Sequence, residues 1–374
     1  MATSATPALA SNAPQKNGVP LLLRFREIGI LFFLLLLVVV VTLRNPSFIS
    51  SGNVRSILLD IPLITVVAMG MTTIILSRNI DLSVGSMLGF CAVVVGFLFK
   101  NNPAFPLWLA ALIGIGAGAL LGAFNGLLVT WLRVPAIIAT LGTLSIYRGL
   151  VFFWSGGNQI EPSDLPPSLI ALSQSSPLDA SWMRQFASWI QQSVPWLQQF
   201  PSGLAALAQL VPWIVVFTLA VTGAMHFFLR FSRTGRALYA IGSNPVAARL
   251  RGIPVDRTIF LSFVLTGALS GLAGVMYASR FGFVYPAKTG VGFELSVIAA
   301  TIIGGTSILG GSGSVLGTVL GCLLLGIIQN AINVSRLSVY WQLAIYGAII
   351  LIAVATDASI RSRLEKTAAQ RGGR

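Results

Sequence analysis

Stretches of apolar residues long enough to cross a lipid bilayer recur along almost the whole chain. They run at residues 28–43, 57–76, 82–99, 107–131, 134–154, 211–229, 258–279, 295–309, 314–332 and 338–355. A helix of roughly 20 apolar residues matches the hydrocarbon thickness of a membrane. Inside lipid every backbone N–H and C=O must be satisfied by the protein, and an α-helix does this locally. The runs therefore predict an all-α polytopic membrane protein of about ten transmembrane helices. Composition agrees, because 9% charged residues among 374 are too few to coat a soluble globule of that size. Glycines cluster between Gly304 and Gly313, and they leave the span boundaries there open to a broken or re-entrant helix.

The net charge of +14 falls between and beyond the apolar runs. No basic face is interleaved with aromatic residues, so nucleic acid is not an expected partner. Lysine and arginine instead set orientation. Residues 1–26 read as a disordered cytoplasmic tail and 357–374 as a basic one. Arg230, Arg233, Arg236, Arg249, Arg251 and Arg257 fill the loop 230–257. An even number of spans puts both termini and this loop in the cytoplasm and residues 155–210 outside. Arg24 and Arg26 precede the first run, but only Arg44-Asn-Pro46 follows it, with no cleavage signal, so it is read as an uncleaved span.

The runs divide into a first transmembrane half at 27–154, a linking helix at 211–229 and a second half at 258–356. Gly116, Gly118, Leu121, Gly122 and Gly126 recur at one offset as Gly311, Gly313, Leu316, Gly317 and Gly321, which suggests internal duplication. In lipid, where little hydrophobic drive holds helices together, such small faces allow close packing, so Gly118, Gly122, Gly126, Gly313, Gly317 and Gly321 are expected at helix contacts. In the outer loop Trp182, Phe186, Trp189, Ile190 and Leu197 fall near helical spacing. They predict an amphipathic helix on the outer membrane surface.

The polar loop holds a short helix with both ends specified. Ser243 or Asn244 can cap it, Pro245 suits its first position, and Gly252 followed by Pro254 stops it. Arg249 and Arg251 complement the C-terminal end of its dipole, and Ala247 and Ala248 leave room for another surface. A capped, basic, small-faced helix between spans suits docking to a second protein. The alternative is a basic loop held by anionic membrane lipid.

Polar residues at membrane level are few. Asp81 stands where it can cap the third span, with Arg78 as a candidate ion-pair partner, and Arg148 can snorkel from the fifth. Glu294 favours the positive end of the eighth. Asn125, Thr140, Thr143 and Asn158 are candidates for lining a pathway that hydrogen-bonds a polar solute weakly. Cys91 and Cys322 each lie in an apolar run and read as small core residues. The glycine-rich stretch at 304–318 lacks the lysine of a phosphate-binding loop, so this chain is not expected to bind ATP itself. No catalytic constellation is visible, and the expected class is a transporter rather than an enzyme.

Three stretches carry a resemblance. Asn79-Ile-Asp-Leu-Ser-Val-Gly-Ser86, Val134-Pro-Ala-Ile-Ile-Ala-Thr-Leu-Gly-Thr143 with Tyr147-Arg-Gly149, and Glu294-Leu-Ser-Val-Ile-Ala-Ala-Thr-Ile-Ile-Gly-Gly-Thr-Ser-Ile-Leu-Gly-Gly-Ser-Gly313 are similar to the signature stretches of the ribose-type sugar ABC permease family. The stretch 235–254 resembles that family's ATPase-contacting loop. Leu76-Ser-Arg-Asn-Ile-Asp81 and Trp154-Ser-Gly-Gly-Asn-Gln-Ile160 look most like the autoinducer-2 and rhamnose permeases within it.

The resemblance implies the membrane subunit of an ATP-binding-cassette importer in the bacterial inner membrane. It would pair with a second copy or a paralogue, dock two ATPase subunits that carry the ATP, and receive a sugar or sugar-like solute from an extracytoplasmic binding protein. Ser243, Asn244, Pro245, Ala247, Ala248, Arg249, Arg251 and Gly252 would form the ATPase-coupling segment. A self-contained channel or facilitator remains the alternative, and it would carry solute without partners.

Overall fold

A computed structural model describes residues 26–177 and 211–336, together with 185, 338, 340–348, 350–351 and 355. The first half supplies α1 (Arg26–Arg44), α2 (Ser51–Leu76), α3 (Val84–Asn101), α4 (Leu107–Thr130) and α5 (Ala136–Ser155). A short α6 (Pro167–Gln174) follows, then α7 (Trp213–Phe231). The polar loop holds α8 (Arg233–Ser243) and α9 (Pro245–Leu250). The second half supplies α10 (Val255–Phe281), α11 (Phe293–Ile303) and α12 (Val315–Val334).

Among the described residues seven helices, α2 to α5, α7, α10 and α12, are long and apolar enough to cross a membrane. Two shorter apolar helices, Ile28–Arg44 and Phe293–Ile303, accompany them. The run 338–355 is described in part and is helical at 340–348. Trp182, Phe186, Trp189, Ile190 and Leu197, which carry the expected amphipathic helix, lie outside the described residues.

The run expected at 295–309 is corrected by the structure. Its helix, α11, has 11 residues and stops at Ile303. That is about 16 Å of helix, half the hydrocarbon thickness. Gly305, Gly310 and Gly311 adopt φ of 98°, 79° and 76° in the non-helical stretch before α12, conformations that exclude a continued helix. This broken span lies against protein: Thr301 and Thr306 are fully buried.

The core is built around α2 and α10, which pack on each other. Val66, Val67, Ala68, Met69 and Met71 of α2 are inaccessible to solvent. The other contacts are crossed between the halves. Helix α4 packs along α10 while α12 packs along α2, and α3 meets α10 while α11 meets α2. Such reciprocity between the halves is the arrangement expected of a duplication.

Glycines make the closest of these contacts. A Cβ on Gly118 would lie 2.2 Å from the carbonyl oxygen of Gly267, and one on Gly122 at 2.2 Å from that of Phe263. On α12, Gly317 and Gly321 press in the same way on Gly304 and Ala300. Three glycines of the echo lie outside the helix contacts. Gly311 and Gly313 precede α12 in the non-helical stretch, and Gly116 of α4 meets nothing within 4 Å. The opposite face of α4 exposes Leu112, Leu120 and Phe124, and Trp108 and Trp131 flag its two ends, as at membrane interfaces.

At the far end from the basic loop, Ile160 and Val284 exchange two backbone hydrogen bonds of 3.0 Å, tying the segment after α5 to the segment after α10. Beside them Asp164 accepts from the Glu161 N–H at 2.9 Å and from Lys100 at 2.9 Å. These two bonds hold its carboxyl below the usual carboxylate range. A lowered folded pKa means that the contribution is present above the unfolded value of about 3.9 and is lost as pH falls through the folded value. An unfolding midpoint followed from about pH 5 down to about pH 3 should therefore fall less steeply in Asp164→Asn than in the native chain.

Candidate functional site

The polar loop folds as two helices where one was expected. Ser232 caps α8 by accepting from Gly235 N at 2.8 Å. Asn244 caps α9 by accepting from Ala247 N at 3.0 Å, Pro245 takes the first helical position, and Gly252 leaves the helix at φ 77°. Ser243 is not the cap. It ends α8, and its hydroxyl donates to the Tyr239 carbonyl at 2.9 Å.

The two alanines also separate. Ala248 is 3% exposed, packed with Ile241 and Val255 under α9, so it fixes the helix to its base rather than clearing space for a partner. Ala247 faces outward. Beside it stand Val246, 70% exposed, and Leu250, 85% exposed, one helical turn apart. Arg249 pairs with Asp256 at 2.9 Å, an exposed pair of small energetic worth. A six-residue helix thus presents an apolar face edged by Arg251 into solvent. The sequence carries this signal as Val246 and Leu250 at i and i+4.

The stem of this loop is bonded into the transmembrane body. Arg78, in the left-handed region at φ 65°, donates from Nε to the Gly242 carbonyl at 2.5 Å and from Nη2 to the Ser243 carbonyl at 2.8 Å. The cation therefore sits on the free carbonyls at the end of α8, where the dipole favours it. Gly242 is wedged against the Leu76 carbonyl and Gly311 N, and Gly311 N donates to Leu76 O at 3.0 Å. Tyr239 donates to Gly313 O at 3.1 Å. The end of α2, the stem of α9 and the break between α11 and α12 meet at one junction.

The expected ion pair of Arg78 with Asp81 is not formed, because Arg78 is taken up by those carbonyls. Asp81 is fully buried and accepts from Ser83 N at 2.8 Å, Ser83 Oγ at 2.7 Å and Asn125 Nδ2 at 3.2 Å. The Tyr147 hydroxyl lies 2.8 Å from Leu121 O and 2.9 Å from Asn125 Oδ1, one proton serving two acceptors. This cluster joins the α2–α3 turn to α4 and α5. Arg148 does not reach for headgroups: it donates to Thr289 O at 2.7 Å.

Of the four pathway candidates, Asn125, Thr140 and Thr143 adjoin the buried Asp81 cluster, and Asn158 lies apart from it. Asn125 belongs to the Asp81 cluster. Thr140 donates to Ala136 O at 2.8 Å and Thr143 to Thr140 O at 3.3 Å, both buried. Asn158 is exposed beyond α5. Asn125→Ala should destabilise the chain by about 1–3 kcal/mol, since it removes a donor from a buried carboxylate, while Tyr147→Phe should cost about 0.5–1.5 kcal/mol. Thermal unfolding in detergent would check both, and the double variant should cost less than their sum because the two side chains hydrogen-bond each other.

Three comparisons bear on this geometry. The family model described as branched-chain amino acid transport system / permease component matches residues 53–354. The chain is 37% identical over 345 residues to the autoinducer 2 import system permease protein LsrC of Enterobacter sp. (strain 638), covering 92% of this chain and 90% of that protein. It is 36% identical over 340 residues to the protein of the same name from Escherichia coli O157:H7, covering 91% and 89%. No solved structure matches. The resemblance to ABC import permeases read from the motifs is borne out.

Proposed function

This chain belongs to that permease family, a multi-pass membrane protein of the transport class, and from that premise we propose how it works. It is the membrane-spanning subunit of an ATP-binding-cassette importer and carries a sugar-like solute inward. The solute class is a pentose, a rhamnose-like deoxyhexose or autoinducer-2, the last being what its relatives' names record. ATPase subunits dock on α9 and hydrolyse the ATP, a second permease copy or paralogue completes the pathway, and an extracytoplasmic binding protein delivers the solute. Both termini and the loop 230–257 face the cytoplasm, in line with their arginines.

The observation that supports docking at α9 is the pairing of an outward apolar face, Val246 and Leu250, with a stem bonded to α2 and to the α11–α12 break. A helix so mounted can pass a push from a partner to two membrane elements at once. A floppy lipid-bound loop would need neither the cap nor the Arg78 bonds.

Affinity purification from gently solubilised native membranes tests this reading. An ATPase should accompany the native chain and be lost with Ala247→Glu, which alters the outward face and leaves Ala248 in place. If no ATPase accompanies the native chain, and the chain alone carries solute into vesicles, the facilitator is the correct class.

A further inference from the structure

Where α7 runs into the basic loop, a cavity of about 280 Å³ opens between three elements. Its walls are His226, Leu229 and Arg230 of α7, Arg236 and Tyr239 of α8, and Ser314 and Val315 at the start of α12. Three of these side chains are basic, and among the described residues none of them pairs with a carboxylate. Arg236 donates from Nη1 to Phe231 O at 3.0 Å, which engages one of its five donors. Arg230 is exposed, with its guanidinium over the Phe231 ring at 5.7 Å. Leu229, Tyr239 and Val315 give the cavity a hydrocarbon floor. One position further round α7, Phe227 and Phe231 are 65% and 54% exposed and face outward from the bundle.

We infer that this cavity is a binding site for one anionic phospholipid, with the phosphate held by Arg230 and Arg236 at the mouth and the upper acyl chain laid along Phe227 and Phe231. Charge complementarity sets the sign of the ligand. Basic pockets between transmembrane helices are suited to anionic headgroups, because guanidinium and phosphate form charge-assisted hydrogen bonds. The apolar floor and the adjoining aromatic face distinguish a lipid from free phosphate, which would leave both without a partner. The cavity is too small for a whole lipid and fits a headgroup with its first methylenes. Because Arg236 and Tyr239 belong to α8, a bound lipid braces the stem of α9 against α7 and α12. The inference does not depend on what α9 docks to.

The test is native mass spectrometry of the chain released from nanodiscs of equal phosphatidylglycerol and phosphatidylcholine content, with an unfolding midpoint measured in parallel. The native chain should retain phosphatidylglycerol in preference to phosphatidylcholine. Arg230→Gln, an exposed position on which folding does not rest, should lower that retention roughly five-fold, and Arg236→Gln likewise. Arg233→Gln, outside the cavity, should leave it unchanged. Equal retention of the two lipids overturns the inference, as does undiminished retention in Arg230→Gln. It is also overturned if inorganic phosphate raises the midpoint as much as phosphatidylglycerol does and loses that effect in Arg230→Gln, since the site would then take the free anion.

Discussion

Leu250→Asp should abolish recovery of an ATPase with the solubilised chain and reduce solute uptake by more than about ten-fold, with insertion and thermal stability unchanged. The side chain is 85% exposed and Val246 beside it is 70% exposed, so neither contributes to the fold of the free chain. Burying a leucine of this kind in an interface stabilises it by about 1.5–3 kcal/mol. An aspartate in its place adds the cost of a desolvated, unpaired charge, several kcal/mol more. Together these exceed the roughly 1.4 kcal/mol that corresponds to ten-fold in binding. Arg78→Ala makes a useful companion, because it leaves the apolar face intact and removes the bonds to Gly242 and Ser243. It should preserve ATPase recovery and uncouple ATP hydrolysis from uptake. Full uptake by Leu250→Asp would remove α9 from the docking role.

These two residues also show which information the sequence held and which it did not. Asn244-Pro245 and Gly252-Ile-Pro254 specified α9 locally, because capping and left-handed exit depend on neighbours in the chain. The glycines at 304–313 specified the break after α11 for the same reason. Arg78 was placed beside Asp81 by proximity in sequence, but its partners are 164 and 165 residues away. Only the folded body brings the end of α8 to the end of α2. Ala248 was equally illegible: on a six-residue helix two adjacent alanines differ only by which side meets Ile241 and Val255.

The membrane helices were legible as runs and illegible as faces. Lipid and protein interior are similarly apolar, so hydrophobicity does not tell the buried side of α4 from the exposed one. Its buried side reads Ala110, Gly114, Gly118, Gly122, Asn125, Gly126 and Thr130, a pattern of size and not of polarity. Size therefore carried the information, and the glycine echo found it. The echo could not say which neighbour each glycine would meet: α10 for α4, but α11 and its end for α12.

That distinction makes a prediction within a single helix. Gly118→Val should prevent assembly of the bundle, and Gly116→Ala, two residues away, should be tolerated. At Gly118 the added Cβ would stand 2.2 Å from Gly267 O, 2.8 Å from Gly271 N and 2.9 Å from Gly271 Cα, all backbone atoms. No side-chain rotation relieves them, so α4 and α10 must move apart along their shared face. The reciprocal contact, in which a Cβ on Gly267 would meet Gly118 O at 2.2 Å, is broken by the same movement. Overpacking of a close contact costs about 1–3 kcal/mol where neighbours can yield, and more where they are main chain. Against a total stability of about 5–15 kcal/mol, the loss of this contact and of the dispersion along it is large. Gly116 has nothing within 4 Å, so alanine there meets no wall and stiffens an exposed helical position. Yield after gentle solubilisation and the unfolding midpoint, compared for the two variants, decide the matter. Equal tolerance would mean that α4 and α10 do not approach this closely, and the crossed packing of the two halves would lose its main support.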